Sequence, residues 1–378
     1  MKIAVLKETR AGERRVAASP DTVKKYIGLG FKVAVEAGAG AGSSIPDAAF
    51  REAGATIAKN AKDAAKGADI ILKVQGLDKG EMGVLSKGAL FIATLRPHAE
   101  KDAMKAYAKA GVVACAMELM PRITRAQSMD VLSSQSNLSG YKAVLDAASE
   151  FGRAFPMMMT AAGTIAPAKV LVMGAGVAGL QAIATAKRLG AVVSATDVRL
   201  AAKEQVESLG GKFVMVDDDE AKEAETAGGY AKEMSKAYQK KQAALIAETI
   251  TKLDIVITTA LIPGRPAPVL ITKAMVKTMK PGSVIIDLAV EMGGNCELSK
   301  PGQIVDADGV KVVGHLNVPS RLATDASSLY ARNLFNFVTL LVDQEKKAIN
   351  VDWEDEVIQG VALTRDGKII HPNYKEGK

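Results

Sequence analysis

The 378-residue sequence has few aromatic residues, cysteines and histidines. Phe, Trp and Tyr make up 4% of the chain and no basic cluster is interleaved with them, which argues against a nucleic-acid-binding protein. Cys115 and Cys296 lie far apart, so the sequence contains no disulfide framework and fits a reducing compartment. His315 and His371 are not clustered, and we predict no metal site.

Long apolar segments are also missing. No stretch approaches the roughly 20 apolar residues that a membrane-spanning helix needs, and the N-terminus lacks the pattern of a signal peptide. We therefore expect a soluble, cytoplasmic chain. Its net charge of +7 is explained most simply by solvated lysines on helix faces, although a basic surface can also meet an anionic membrane or an acidic partner.

The length and the alternation of segments predict two α/β domains. A chain of 378 residues exceeds one ordinary hydrophobic core. Short apolar runs such as Lys2–Leu6 and Ile70–Val74 alternate with helical segments, which is typical of a doubly wound parallel sheet. We predict two Rossmann-like domains. The first is discontinuous, 1–136 with 326–378, and is closed by the C-terminal segment; the second spans 137–325.

Four local expectations concern the junction and the C-terminus. We expect a helix from about Asn137 to Ala154, and methionines 157–159 in the core. A second long helix is expected over Asp325–Val342. Residues Val357–Ile370 read as a hairpin, with Arg365-Asp366-Gly367 at its turn.

The segment 169–199 carries the strongest functional signal. An apolar strand, a glycine-rich turn, a helix, a second strand and an acidic residue follow one another in the order of a dinucleotide-binding unit. These parts are Val170–Met173, the G-x-G-x-x-G glycines Gly174, Gly176 and Gly179, the helix Val177–Leu189, the strand Ala191–Ser194, and Asp197.

Each part of this segment has a physical role. Gly174 allows a tight turn, Gly176 lets backbone N–H groups approach a pyrophosphate, and Gly179 lets the helix pack on the strand. The helix N-terminus offers unpaired N–H groups and a positive dipole end to the phosphates. Asp197 can accept hydrogen bonds from a ribose hydroxyl and repel a 2′-phosphate, which favours NAD(H) over NADP(H). Nearby basic residues, Arg199 among them, weaken that preference.

Two further segments follow predicted strands of the second domain. Ala260–Gly264 comes after the strand Asp254–Thr259, and Ala289–Asn295, which includes Glu291, comes after the strand Ser283–Leu288. Ligands of open α/β sheets lie outside the carboxyl ends of the strands. We therefore expect both segments near a ligand.

The segment 117–141 has neither helical nor strand periodicity. It is polar, rich in Ser and Gln, and carries charges beside apolar residues. A long polar connection inside a compact protein is often functional. From the residues alone, Arg122 and Asp130 could equally form a surface salt bridge.

With these motifs in place, the sequence resembles the family that contains alanine dehydrogenase and the NAD(H)-binding component of proton-translocating NAD(P) transhydrogenase. The resemblance covers essentially the whole chain. It is closest to the transhydrogenase component, because 121–141 is similar to that family's nicotinamide-positioning loop. The segment 228–234 resembles its mobile loop, with Tyr230 at the tip, and 258–264 and 287–291 also match.

The resemblance implies roles for individual residues. Arg122 donates to the nicotinamide carboxamide or the pyrophosphate, Asp130 pairs with Arg122, Gln127 reaches toward a second nucleotide, and Ser133 bonds the carboxamide. The implied catalytic residues are Arg122, Gln127 and Asp130. The implied cofactor-binding residues are Ser133, Gly174, Gly176, Val177, Ala178, Gly179, Asp197, Val198, Arg199, Gly229, Tyr230, Gln242 and Leu261.

The implied function is hydride transfer from NADH, bound by this chain, to NADP⁺ on an NADP(H)-binding partner subunit. A membrane proton-channel subunit couples the transfer to proton translocation, and the chain is a homodimer held at the cytoplasmic face of the inner membrane. Because the sequence ends at Lys378 without membrane helices, the membrane part is a separate subunit or the chain is a fragment.

The alternatives are an alanine-dehydrogenase-like NAD-dependent amino-acid dehydrogenase and a non-catalytic NAD(H) sensor. Alanine dehydrogenases carry a substrate-binding Lys and a catalytic His in the first domain. Lys73 matches the Lys, but Leu95-Arg96-Pro97 stands at the His position and His98 is displaced by two residues. An amino-acid dehydrogenase needs a general base near the substrate carbon, so this departure argues against that alternative.

Overall fold

The computed structural model describes residues 1–216, 234–262 and 264–375. The strands are β1 (Lys2–Val5), β2 (Lys32–Glu36), β3 (Thr56–Ala58), β4 (Ile70–Gln75), β5 (Leu90–Thr94), β6 (Val113–Ala116), β7 (Met158–Thr160), β8 (Gly163–Ile165), β9 (Lys169–Met173), β10 (Val192–Thr196), β11 (Lys212–Phe213), β12 (Ile255–Thr258), β13 (Val284–Asp287), β14 (Ile304–Ala307), β15 (Val310–Val313), β16 (Val342–Asp343), β17 (Ala348–Ile349), β18 (Thr364–Arg365) and β19 (Lys368–Ile369).

Helices occupy most of the remaining described chain. The α-helices are α1 (Pro20–Gly28), α2 (Asp47–Glu52), α3 (Ala61–Ala65), α4 (Lys101–Ala110), α5 (Val131–Glu150), α6 (Val177–Arg188), α7 (Ala202–Ser208), α8 (Lys236–Ile250), α9 (Lys273–Val276), α10 (Ala323–Leu340) and α11 (Glu356–Val361). Short 3-10 helices span Ala41–Ser43, Lys79–Val84, Met117–Leu119, Thr124–Met129, Val290–Met292 and Val318–Leu322.

The chain forms two compact units. The first comprises Met1–Gln135 together with the residues from Pro319 onward, and the second comprises Ser136–Val318. The domain boundaries predicted from sequence, at 136/137 and 325/326, stand next to these limits. Each unit contains one predominantly parallel sheet with helices between its strands, which confirms the predicted α/β class.

The sheet of the first unit has the strand order β3-β2-β1-β4-β5-β6 and is parallel throughout. The order reverses between β1 and β4, which places a topological switch point at their carboxyl ends. Strands β1, β4 and β5 are buried along almost their whole length, as expected when helices cover both faces of a parallel sheet. Helix α10, with Tyr330 and Phe337, contributes to the same core.

The sheet of the second unit has the strand order β11-β10-β9-β12-β13-β15-β14. Six strands are parallel, and β14 pairs antiparallel with β15 at the edge. The order reverses between β9 and β12, so the turn after β9 lies at the switch point. The sequence did not reveal β14, because its residues alternate between exposed and half-buried positions instead of forming an apolar run.

Three local expectations are wrong. Helix α5 begins at Val131 and ends at Glu150, about six residues before the predicted start, because Asp130 caps its first turn. Methionines 157–159 are exposed, Met159 by 79%, because they lie on the two-stranded hairpin of β7 and β8. The predicted hairpin over Val357–Ile370 is helix α11 followed by a short hairpin, β18 and β19.

Helices α5 and α6 of the second unit approach one another closely at Gly140. A Cβ atom built at Gly140 would lie 2.0 Å from the carbonyl oxygen of Ala178. Only glycine therefore fits there, although alanine is favoured over glycine by about 1 kcal/mol in a helix interior.

We expect Gly140→Ala to lower the apparent free energy of unfolding by about 1–3 kcal/mol, because the added methyl group forces the helices apart. Urea unfolding followed by circular dichroism measures the change. The matched control is Gly152→Ala, where a Cβ atom meets nothing within 4 Å and the change should stay within about 0.5 kcal/mol. Equal stability of the two variants would contradict the packing argument.

Candidate functional site

The glycine-rich turn of the second unit is built by close backbone contacts. Gly174 follows β9 with a φ of +99°, and a Cβ atom there would lie 2.6 Å from Thr259 Oγ1. At Gly179 a Cβ atom would lie 1.8 Å from the carbonyl oxygen of Gly174, so the first turn of α6 packs directly on the turn. At Gly176, in contrast, a Cβ atom meets nothing within 4 Å.

Gly176 is the N-cap residue of α6 and has no side chain to cap the helix. The first N–H groups of an α-helix have no partner within the helix. The open space at Gly176 and these N–H groups together form a cradle that fits an anionic group such as a pyrophosphate. The geometry thus agrees with the roles that the sequence assigns to the three glycines.

Asp197 links the end of β10 to the glycine-rich turn. Its Oδ2 accepts a hydrogen bond from Ala175 N at 2.8 Å. Arg199 donates to the same carboxylate from its backbone N and Nε, both at 2.9 Å to Oδ1, and from Nη2, at 2.8 Å to Oδ2. Asp197 therefore positions the turn, and Arg199 neutralises its charge, in addition to any contact with a ribose.

The other predicted residues of the second unit lie around this turn or after neighbouring strands. Val177 and Ala178 open helix α6, and Val198 packs beside Tyr238 of helix α8. Gln242 lies on α8 and is half-buried, and Leu261 follows β12 and is 50% exposed. Gly229 and Tyr230 lie outside the described residues.

A buried carboxylate organises the loops after β12 and β13. Asp287 Oδ1 accepts from Thr258 Oγ1 at 3.1 Å and from Ala289 N at 2.9 Å. Its Oδ2 accepts from Asn295 N at 2.8 Å, Cys296 N at 3.1 Å and Ser299 Oγ at 2.5 Å. With five donors, the charge of this buried carboxylate is fully compensated, and both loops are tied to the sheet.

Asn295 extends this network to the segment after β12. Its side chain is fully buried, accepts from Ala260 N at 3.0 Å, and donates to the carbonyl oxygens of Ala260 at 2.9 Å and Pro268 at 2.8 Å. The two segments that follow strands β12 and β13 are therefore held together at the carboxyl edge of the sheet. Their position at this edge is the one expected from the sequence.

The polar segment of the first unit is a well-packed structure. The 3-10 helix Thr124–Met129 buries Ala126 and Met129 in the core. The carbonyl oxygen of Ser128 accepts hydrogen bonds from the side-chain amides of Asn333, at 2.8 Å, and Asn336, at 3.0 Å, both on α10. These contacts replace the helical or strand periodicity that the segment lacks.

Two of the predicted residues in this segment contact each other directly. Asp130 Oδ1 accepts from Ser133 N at 2.9 Å, and Asp130 Oδ2 accepts from Ser133 Oγ at 2.6 Å, which caps helix α5. Arg122 and Gln127 are exposed in the same unit. The pairing of Arg122 with Asp130 stays a prediction.

Comparisons with known proteins agree on one family. A family model described as alanine dehydrogenase/PNT, N-terminal domain, matches residues 4–139, and one described as alanine dehydrogenase/PNT, C-terminal domain, matches residues 143–372. The chain belongs to the alanine dehydrogenase/PNT family. Within it, the chain groups with the transhydrogenase alpha subunits, and alanine dehydrogenase is a more distant relative.

Three relatives illustrate this relationship. NAD(P) transhydrogenase subunit alpha of Rhodospirillum rubrum is 62% identical over 98% of both chains. The crystal structure of transhydrogenase from Sinorhizobium meliloti is 55% identical, covers 98% of this chain and 100% of that one, and has a TM-score of 0.90. Alanine dehydrogenase of Halomonas elongata is 31% identical over 98% of this chain and 95% of its own.

Sequence reasoning missed a buried charged cluster in the first unit of this alanine dehydrogenase/PNT family member. Arg15 donates to Glu13 Oε1 and Oε2 at 2.8 and 2.6 Å and to Gln135 Oε1 at 2.8 Å. The fully buried Lys73 donates to Glu81 Oε1 at 2.7 Å. The available signal was the run of charged residues directly after β1, at the carboxyl edge of a parallel sheet.

The carboxylates in this cluster are strongly perturbed. Burial raises the pKa of Glu8 to about 7, and the nearby Lys73 offsets only part of this effect. Burial also opposes the ionisation of Glu13, but the hydrogen bonds and charge of Arg15 outweigh it and lower the pKa of Glu13 to about 2. Both cations of the cluster are therefore neutralised by carboxylates of the same unit.

No helix within the described ranges 1–216, 234–262 and 264–375 is long and apolar enough to span a bilayer. In the same ranges, no group of three or more His, Cys, Asp or Glu side chains is arranged to hold a metal ion. Cys115 and Cys296 are both buried free thiols.

The contrast between Gly176 and Gly179 gives a direct test of the cradle. We expect Gly176→Ala to leave stability nearly unchanged and to raise the dissociation constant for NADH at least about tenfold, because the methyl group fills the space that a pyrophosphate needs. NADH fluorescence titration and thermal unfolding measure the two effects.

Gly179→Ala is the matched comparison. Its methyl group would collide with the backbone of Gly174, so this variant should lose stability as well as binding. Unchanged NADH affinity in a folded Gly176→Ala variant would remove the turn from the binding site.

Proposed function

We propose that the chain is the NAD(H)-binding subunit of an energy-coupled transhydrogenase. It binds NADH and passes hydride to NADP⁺ held by an NADP(H)-binding partner subunit. A membrane proton-channel subunit links this transfer to proton translocation and holds the chain at the cytoplasmic face of the inner membrane. The observation that carries the proposal is the preformed anion cradle at the N-terminus of α6, in a chain that is 62% identical to a transhydrogenase subunit alpha.

The chemistry asks little of the protein apart from positioning. Bound NADH supplies the hydride, and no proton moves in the transfer between two nicotinamide rings. The protein must therefore hold the reacting atoms about 3–3.5 Å apart and keep water away, rather than provide an acid and a base. This requirement explains why a polar hydrogen-bonding segment takes the place of a catalytic dyad.

We assign the following roles by resemblance. Gly174, Gly176 and Gly179 receive the pyrophosphate, and Asp197 receives the adenosine ribose. Arg122, Gln127 and Asp130 position the nicotinamide, and Ser133 bonds its carboxamide. Tyr230 acts as a lid over the nucleotide. The rigid packing of Thr124–Met129 on α10 supports this assignment, because a loop that sets a reacting distance has to be held in place.

An amino-acid dehydrogenase is the second candidate, since an alanine dehydrogenase is 31% identical over most of the chain. Lys73, which matches its substrate-binding Lys, is fully buried and paired with Glu81. The displaced His98 bonds Tyr374 Oη through Nε2 at 2.8 Å. Neither a free ammonium group nor a histidine at the expected position favours this function.

The experiment that separates the two candidates combines the protein with an NADP(H)-binding transhydrogenase subunit. We expect reduction of an NAD analogue by NADPH, or oxidation of NADH by an NADP⁺ analogue, only when both subunits are present. Alanine and NAD⁺ should give no NADH with this chain alone. Alanine-dependent NADH formation would establish the dehydrogenase, and binding without transfer in the complete mixture would establish a sensor.

The proposed role of Gln127 predicts a loss of transfer without a loss of binding. Gln127→Leu should reduce the transfer rate about tenfold or more, because the side chain orients the second nucleotide and does not bind the first. Ser128→Ala is the matched control, since the neighbouring side chain is also exposed and only its backbone contacts α10. Stopped-flow transfer and NADH titration measure both terms. Similar rates in the two variants would contradict the assignment.

We also propose that two copies of the chain associate through the hairpin of β7 and β8. All six hairpin residues are exposed, and with Met157 they present apolar side chains to solvent, among them Met158, Met159 and Ile165. An isolated two-stranded hairpin is marginally stable in water, and an exposed apolar patch marks an interaction site. A second copy of the chain supplies the missing packing.

Substituting Met159→Lys together with Ile165→Lys should convert the dimer into a monomer, because two charges replace apolar side chains in the interface. Light scattering after size-exclusion chromatography measures the molar mass. Ile304→Lys is the control, because Ile304 is an equally exposed apolar residue on the edge strand β14. A dimer that persists in the hairpin variant would place the interface elsewhere.

A further inference from the structure

The strand order of the second unit divides the ends of a bound dinucleotide between two sides of the switch point. The glycine-rich turn follows β9, and Asp197, the proposed ribose partner, follows β10 on one side. A dinucleotide lies across the crevice at the switch point. Its nicotinamide half must therefore extend to the other side, over the carboxyl ends of β12 and β13. This placement rests on the proposed NAD(H)-binding function.

Glu291 lies in the loop at the end of β13. It occupies the 3-10 helix Val290–Met292, which begins three residues after Asp287, and it is exposed. Its Oε1 accepts a hydrogen bond from Asn317 N at 2.5 Å. Asn317 follows β15 and has a φ of +44°, in the left-handed region that few non-glycine residues adopt. The carboxylate thus fixes the loop after the neighbouring strand.

The charge of Glu291 differs from those of the other carboxylates at this edge. Asp197 is neutralised by Arg199, and Asp287 is surrounded by five donors. Within residues 1–216, 234–262 and 264–375, Glu291 forms no ion pair and accepts only the one backbone hydrogen bond. Glu291 therefore leaves a negative charge directed by the fold toward the side of the crevice that takes the nicotinamide.

Hydride loss changes the charge of the nicotinamide ring from neutral to positive, and everything else in the two nucleotides is the same. A fixed negative charge near the ring stabilises the oxidised form relative to the reduced form. We propose that Glu291 determines the ratio of affinities for NAD⁺ and NADH, and so favours the oxidation of the bound nucleotide. Its hydrogen bond to Asn317 holds the carboxylate in position for this role.

The test compares the dissociation constants of NADH, from its fluorescence, and of NAD⁺, from competition with NADH. We expect Glu291→Gln to weaken NAD⁺ relative to NADH by about three- to tenfold, because the charge is lost while the amide oxygen still accepts from Asn317 N. Glu291→Asp, which keeps the charge, should stay close to the unaltered protein.

Glu297→Gln is the matched control. Glu297 lies in the same loop, is exposed, and also accepts one backbone hydrogen bond, from Lys273 N at 2.6 Å. This control removes the same charge from the chain, so the ratio should change less than about twofold. An unchanged ratio in Glu291→Gln, or an equal change in both variants, would overturn the proposal.

Salt gives a second measurement that needs no variant. Raising the salt concentration from about 50 mM to about 1 M should weaken NAD⁺ more than NADH, because screening removes the only electrostatic difference between them. An unaltered protein whose ratio does not respond to salt contradicts the proposal even if Glu291→Gln fails to fold. Failure of the unaltered protein to bind either nucleotide would reject the proposed function itself, which is a distinct outcome.

Discussion

The candidate site depends on the contact between the first turn of helix α6 and the glycine-rich turn after β9. A single methyl group at Gly179 would come within 1.8 Å of the carbonyl oxygen of Gly174, so the helix can reach the strand only with glycine there. This contact directs the N–H groups at the helix N-terminus toward the space left open at Gly176. The same backbone atoms thus determine both the packing of the unit and its ability to bind an anion.

Buried polar groups keep the rest of the carboxyl edge in register with this turn. Asp197 connects the turn to β10, and Asp287 with Asn295 connects the loops after β12 and β13. Each of these side chains is buried and has its hydrogen bonds made within the unit, which makes the edge rigid before any ligand arrives. Glu291 differs, because its charge is left for the nicotinamide side of the crevice.

The first unit handles its charges in the opposite way. Arg15 and Lys73 are buried cations at the carboxyl edge, and each is neutralised by a carboxylate of the same unit, Glu13 or Glu81. The polar segment Thr124–Met129 is fixed to α10 through backbone groups, which leaves Arg122 and Gln127 exposed. Hydride transfer between two nicotinamides requires this kind of positioning and no acid or base.

The sequence alone determined the α/β class, the glycine-rich turn and the identity of the loops at the carboxyl edge of the second sheet. These features depend on local order, since apolar runs, glycines at fixed spacing and an acid after the second strand are read along the chain. Contacts between distant segments were decided only by the tertiary structure. The pairing of Arg15 with Glu13 near Gln135, and the five donors around Asp287, bring together groups that sequence spacing cannot relate. Methionines 157–159 show the same limit, because an apolar sequence does not reveal whether its partner lies within the same chain.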